Sequence, residues 1–238
     1  MTIEWSGIED VEVRFSPARW VRHEFPDNSY VLVPRYMMEC ETQFSTETID
    51  VKGLPHFFMS PYNSNVKGPS VRCSPGINRT CPIFFSRSGQ TLFFSDSCKD
   101  LVPSAIDANL DEVATLEFLS LGFVTSMETI LKDVFQLQAG EIAILDSGTF
   151  RTSISYEYST DKLGTDEDLL VEELSKTSKE LFDETIRILN GKTAIIPLSG
   201  GYDSRFIAAM LKLGGYENVV CVSYGLKNNL DSLESQRI

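Results

Sequence analysis

The sequence is poor in the residues that build common metal and redox sites. It has two histidines, His23 and His56, and five cysteines with no Cys-x-x-Cys pair among them. That pattern excludes the usual zinc-binding spacings. An odd number of scattered thiols fits a reducing compartment, so a cytoplasmic location is expected. Positive charge is also scarce: 21 Lys and Arg stand against 34 Asp and Glu, for a formal charge of −13. A surface of that sign repels phosphate, so nucleic acid is not an expected partner, although one small basic pocket for a nucleotide stays open. No apolar run approaches the roughly 18 residues of a spanning helix, and no membrane partner is expected. The opening MTIEWSGIEDVEV lacks the basic-then-apolar order of a secretory leader. What is present is ordinary: 238 residues, 42% of them hydrophobic, enough for one large domain or two small ones.

The first 105 residues predict β-structure broken by turns. VEVRF, YVLVP, PIFFS and TLFFS are short, rich in β-branched and aromatic residues, and bounded by turn formers. Ser86 to Gln90, between Phe85 and Thr91, marks a hairpin in which Gly89 supplies the positive φ. Residues 60–80, crowded with Pro, Gly, Ser and Asn, predict a long loop. Asp111 to Leu121 predicts a helix capped by Asp111, with Val113, Leu116 and 118–121 on its apolar face and Gly122 as its stop. Two strands joined at Asp146-Ser147-Gly148 follow, and the polar stretch 157–165 predicts a linker. Thr165 is the expected cap of a long helix that uses Leu170, Leu174, Leu181, Thr185, Ile188 and Leu189 inward and ends at Asn190-Gly191. After it, Thr193 to Leu198 and Val219 to Tyr224 predict buried parallel strands around a helix at Ser204 to Leu213. The fold class expected is therefore α/β: an α+β amino-terminal domain with antiparallel sheets over 1–156, then the start of a parallel-sheet domain over 166–238.

The chemistry concentrates in Ser199-Gly200-Gly201-Tyr202-Asp203-Ser204, between a predicted strand and a predicted helix. Ligands bind at that edge of α/β sheets. Two glycines let the backbone approach a ligand, their amides can form an anion nest, and the helix start adds partial positive charge. Ser199 and Ser204 add hydroxyl donors. The combination suits a phosphate, and a carboxylate beside a phosphate suits a Mg²⁺ ligand, which assigns Asp203. The plainer alternative is a glycine turn with Asp203 or Ser204 as helix cap.

Pro197-Leu-Ser-Gly-Gly-Tyr-Asp-Ser204 resembles the pyrophosphate-binding loop of the N-type ATP pyrophosphatases, most closely that of the asparagine synthetases. No Lys follows the glycines, so it is not a Walker loop. Leu92-Phe-Phe-Ser-Asp-Ser, Phe118-Leu-Ser-Leu-Gly-Phe-Val and Glu128 through Ile142 resemble the end of the family's glutaminase domain. Val222-Ser-Tyr-Gly and Asp231-Ser-Leu-Glu extend the likeness, which spans about residues 75–238.

This resemblance implies an ATP-dependent ligase that forms an amide through an acyl-adenylate, releasing AMP and pyrophosphate. ATP and Mg²⁺ are the implied cofactors; a carboxylate-bearing small molecule and an amine donor are the implied partners, and a homodimer stays open. Leu198, Ser199, Gly200, Gly201, Asp203, Ser204 and Tyr224 are the implied nucleotide-binding residues, Asp203 being also the metal ligand. Glu234 resembles an acidic position opening the next helix. Members that hydrolyse glutamine carry Cys after the initiator Met, whereas Thr2 stands here. The 1–156 domain is therefore expected to be a degenerate glutaminase-like (Ntn-type) scaffold without glutaminase activity, as in the β-lactam synthetases. The 166–238 segment resembles the start of an adenine nucleotide α-hydrolase-like domain, and the chain is expected to be part of a longer protein. A non-catalytic nucleotide-binding or assembly protein is the alternative, and a tRNA-modifying relative a third. Arg205 is expected to face solvent, contact with a phosphate or substrate carboxylate being the alternative; Cys221 is expected to be a small core residue, and Trp5 and Trp20 to make core or domain contacts.

Overall fold

The computed structural model describes residues 2–39, 53–61, 68–102, 109–159, 166–225, 233 and 235. The chain divides into two compact units, Met1–Tyr158 and Ser159–Ile238. Both α-helices and β-strands are present, with antiparallel pairing dominant.

The first unit contains β1 (Glu4–Trp5), β2 (Asp10–Arg14), β3 (Trp20–Glu24), β4 (Tyr30–Pro34), β5 (His56–Ser60), β6 (Ser70–Ser74), β7 (Phe84–Ser88) and β8 (Thr91–Ser95). Then come α1 (Glu112–Leu121), β9 (Val134–Gln136), β10 (Glu141–Asp146) and β11 (Thr149–Ile154). Seven strands form an antiparallel sheet in the order β1-β11-β10-β6-β5-β4-β3. Four form a second sheet, β2-β8-β7-β9, in which β2 and β8 run parallel.

Aromatic rings from the two sheets meet. Phe57 of β5 lies 5.0 Å from Phe94 of β8, and Phe150 of β11 lies 5.1 Å from Phe85 of β7. All four are fully buried. The two-residue period of a strand explains the selection: in β8, Leu92 and Phe94 point inward while Thr91 and Phe93 are half-buried. Trp20 is buried, and Trp5 packs on Phe85, Phe135 and Phe150, as expected of both.

The turns follow local chemistry. β7 and β8 close at Ser88 and Thr91 through Gly89, whose φ is +59°. β10 and β11 close at Asp146 and Thr149 through Ser147 and Gly148, both at positive φ, as a tight hairpin requires. Asp111 caps α1 by accepting the Ala114 amide at 2.8 Å, and Gly122 ends it at φ +81°. Gly140 is the tightest position. Its φ is +74°, its carbonyl accepts the amides of Ser155 and Tyr156, and a Cβ there would stand 2.1 Å from the Tyr156 carbonyl oxygen.

Three expectations for this unit change. The segment 60–80 is not one long loop: β6 occupies Ser70–Ser74, clamped between β5 and β10 with Val71 and Cys73 buried. Inward alternation there outweighs turn-prone composition. The strand expected at PIFFS begins later, at Phe84. The apolar residues of α1 do not form a buried face: Val113, Leu116, Phe118, Leu119 and Leu121 are exposed and only Ala114 is buried. They are spread around the helix rather than gathered into one stripe.

The second unit contains α2 (Glu167–Leu189), β12 (Ala194–Pro197), α3 (Tyr202–Leu213) and β13 (Val219–Val222). β12 and β13 pair in parallel, Ala194 opposite Val219 through Pro197 opposite Val222. The cap of α2 is Asp166, whose carboxylate accepts the Asp168 and Leu169 amides; Thr165 lies outside the described residues. Asn190 and Gly191 end the helix at positive φ. The small core is Phe182, Ile196 and Leu211, with Ile186 and Leu189 packed against it. Leu174 and Leu181, expected inward, are exposed. The two strands are not buried throughout: Ile195, Val220 and Val222 are exposed, and so is Cys221. A parallel pair with no further strand among the described residues leaves much of its surface open.

Two outcomes follow. Gly140→Ala should lower stability by about 2–4 kcal/mol through left-handed strain plus overlap with Tyr156, measured by urea denaturation; an unchanged midpoint would refute the tight-turn role. Burial holds the Cys73 thiol well above its usual range. Peptide-resolved labelling with a thiol reagent should modify Cys221 at once and Cys73 only on unfolding; labelling of native Cys73 would contradict its burial.

Candidate anion site at the strand–helix loop

β12 and α3 place Ser199–Gly201 between the carboxyl end of a parallel strand and a 12-residue helix whose first turn holds Tyr202, Asp203 and Ser204. Gly201 is the cap residue, with extended backbone at φ −75° and ψ 163° and no side chain to bond the first amides of α3. In any α-helix the first four N–H groups lack intrahelical partners.

The loop is knitted by its two serines. The Ser199 amide donates to Ser204 Oγ at 3.1 Å, and the Gly201 amide donates to Ser199 Oγ at 3.2 Å. The two hydroxyl oxygens are 3.1 Å apart, and Ser204 Oγ donates to the Ser199 carbonyl at 3.4 Å. A Cβ on Gly201 would meet Ser199 Oγ at 3.2 Å, so a glycine keeps this bond unhindered. Ser199 and Asp203 are exposed, and Ser204 is half-buried.

The remaining expected residues fall as follows. Leu198 is buried; its amide donates to the Val222 carbonyl at 2.9 Å and its carbonyl accepts Ser223 Oγ at 2.8 Å. Tyr224 lies just beyond the end of β13, and its ring is exposed. Thr2 is exposed in the first unit, ahead of β1. Glu234 lies outside the described residues.

Arg205 differs from expectation. Its guanidinium does not extend into solvent but folds back over the loop. Nε donates to the Gly201 carbonyl at 3.0 Å and Nη2 to the Gly200 carbonyl at 2.8 Å. The same group lies 4.7 Å from the centre of the Tyr202 ring. Helical side chains point toward the helix start, so a long side chain one turn inside α3 reaches the cap carbonyls. That spacing was the available signal. Ser223 was also missed; its contact with Leu198 spans two strands and has no local signature.

No family's sequence model matches this chain, and no curated protein matches it. Among the described residues no cluster of three or more His, Cys, Asp or Glu is placed to hold a metal, and no helix is long and apolar enough to cross a membrane.

Removing the Ser204 hydroxyl should free the Ser199 amide. In Ser204→Ala, hydrogen exchange at Ser199 should accelerate while stability falls by no more than about 1 kcal/mol. Unchanged exchange at that amide would mean the serine pair does not fix the loop.

Proposed function

We propose that the chain carries the pyrophosphate-gripping loop of an ATP-dependent, AMP-forming amide ligase of the asparagine-synthetase type, without glutaminase activity of its own. The observation that carries the reading is the Ser199–Gly201–Ser204 constellation, set where a parallel strand gives way to an uncapped helix start. Backbone amides and a helix dipole there favour an anion, and the exposed Ser199 hydroxyl, with its half-buried partner Ser204, can turn toward it. The sequence likeness of 197–204 supplies the class of anion, the tail of ATP. The finer fold assignment, an adenine nucleotide α-hydrolase-like domain after a degenerate glutaminase-like one, belongs to the same proposal.

The residues fit the Mg²⁺ that such a reaction uses. Asp203 offers an exposed carboxylate in the first turn of α3, the acidic residue of that turn. A single protein carboxylate suits an ion that retains its waters and takes its other ligands from phosphates. Bound there, the ion would neutralise charge on the β and γ phosphates.

In the proposed reaction a substrate carboxylate oxygen attacks the α-phosphorus. The bond from that phosphorus to the bridging oxygen breaks, and pyrophosphate leaves with the electron pair. The loop amides, placed in advance, stabilise the charge that grows on pyrophosphate. An amine then attacks the acyl carbon, AMP departs, and the amine nitrogen loses a proton to form the amide. Thr2 in place of the glutaminase Cys leaves the amine to come from elsewhere. Leu198 and Tyr224, at the two strand ends, are the proposed flank of the adenine. Cytoplasmic location is part of the same reading.

The test is binding by the full chain. Mg-ATP and Mg-pyrophosphate should raise the melting temperature, by an amount equivalent to about 2.7 kcal/mol at a hundredfold excess over Kd. Gly200→Val should abolish the rise, and Asp203→Ala should abolish ATP–pyrophosphate exchange. No shift in the unaltered chain, or exchange surviving in Asp203→Ala, would overturn the reading. Nucleotide binding without any exchange would favour a non-catalytic role.

A further inference from the structure

We propose that Arg205 is a positioning residue that sets the polarity of the 199–204 loop, holding its carbonyls on one side so that its amides present to the anion on the other. The inference rests on the reading of that loop as a pyrophosphate site and adds a residue the loop pattern does not include.

A trans peptide directs its C=O and N–H in opposite directions. Arg205 takes the carbonyls of Gly200 and Gly201 with two nitrogens of one planar group, at 2.8 and 3.0 Å. The amides of the same two peptide units belong to Gly201 and Tyr202 and therefore point away from the guanidinium. On that far side the Gly201 amide meets Ser199 Oγ. The loop thus has a carbonyl face covered by Arg205 and an amide face bearing the serine hydroxyl. Glycine is the residue most able to rotate such peptide planes, so an unheld Gly-Gly pair would spend time with carbonyl oxygen toward the ligand. A carbonyl dipole turned that way repels a phosphate. Arg205 suppresses those orientations, and the Tyr202 ring beneath it restricts the guanidinium in turn. Because it sits on the carbonyl face, Arg205 acts through the loop and does not itself grip phosphate.

The fork geometry makes the test sharp, since Lys keeps the charge but offers a point donor in place of two fixed N–H directions. Mg-pyrophosphate binding to the full chain is measured by calorimetry for the unaltered protein, Arg205→Ala and Arg205→Lys. Arg205→Gln replaces the alanine variant if circular dichroism shows that one unfolded. Both substitutions should weaken binding roughly tenfold, the lysine variant no less than the alanine one. Millimolar guanidinium ion should restore binding to Arg205→Ala. Lysine binding as tightly as arginine would assign the residue a charge role and overturn the proposal. So would undiminished binding in all variants, or failure of guanidinium to rescue, while binding by the unaltered chain left the pyrophosphate site standing. Absence of pyrophosphate binding in the unaltered chain would instead remove the site itself, and the role of Arg205 with it.

Discussion

Amides at the start of α3 have no carbonyl to bond within the helix, and the cap residue, Gly201, has no side chain to answer them. Most helix starts satisfy these groups with a Ser, Thr, Asp or Asn at the cap, as Asp111 and Asp166 do for α1 and α2. The contrast within one chain is informative. Two helices are closed by their own sequence, and the third is left open beside two serines and two glycines. The exposed amides of such a start are left to water or to a ligand, which makes the third helix the place to seek one.

The serines and the arginine divide the labour around that start. Ser199 and Ser204 bond each other and the loop amides, so the turn has a defined shape before any ligand arrives. Arg205 takes the carbonyls of Gly200 and Gly201. Leu198 anchors the loop below, locked to β13 through Val222 and Ser223. The first unit is built on another principle, two sheets closed over interlocking phenylalanines, and its strands are held by side-chain alternation and tight turns.

Local chemistry was legible in the sequence at most turns and caps, the α2 cap falling one residue later than expected, at Asp166. The hairpin at Gly89, the turn at Asp146–Gly148, the Asp111 cap and the Asn190-Gly191 stop all depend on residues within a few positions of one another. What failed depended on distant partners. β6 sits within a stretch crowded with turn formers, yet β5 and β10 on either side draw Val71 and Cys73 inward. The apolar residues of α1 suggested a buried face, but burial needs a facing element that helix periodicity cannot supply. Cys221 was expected inside because continuous apolar strands usually lie within larger parallel sheets, and among the described residues the strand has one partner. At the loop, the residue types suggested an anion site, while the carbonyl contacts of Arg205 turned on where a flexible side chain comes to rest.

The central claim is that the amide face of Gly200–Ser204 receives a pyrophosphate group. Backbone ¹⁵N resonances followed through a titration with Mg-pyrophosphate test it most directly. The account predicts the largest shifts at Gly200, Gly201, Tyr202, Asp203 and Ser204, saturating together with one dissociation constant. Saturable shifts centred elsewhere in the chain, with these five unmoved, would contradict it.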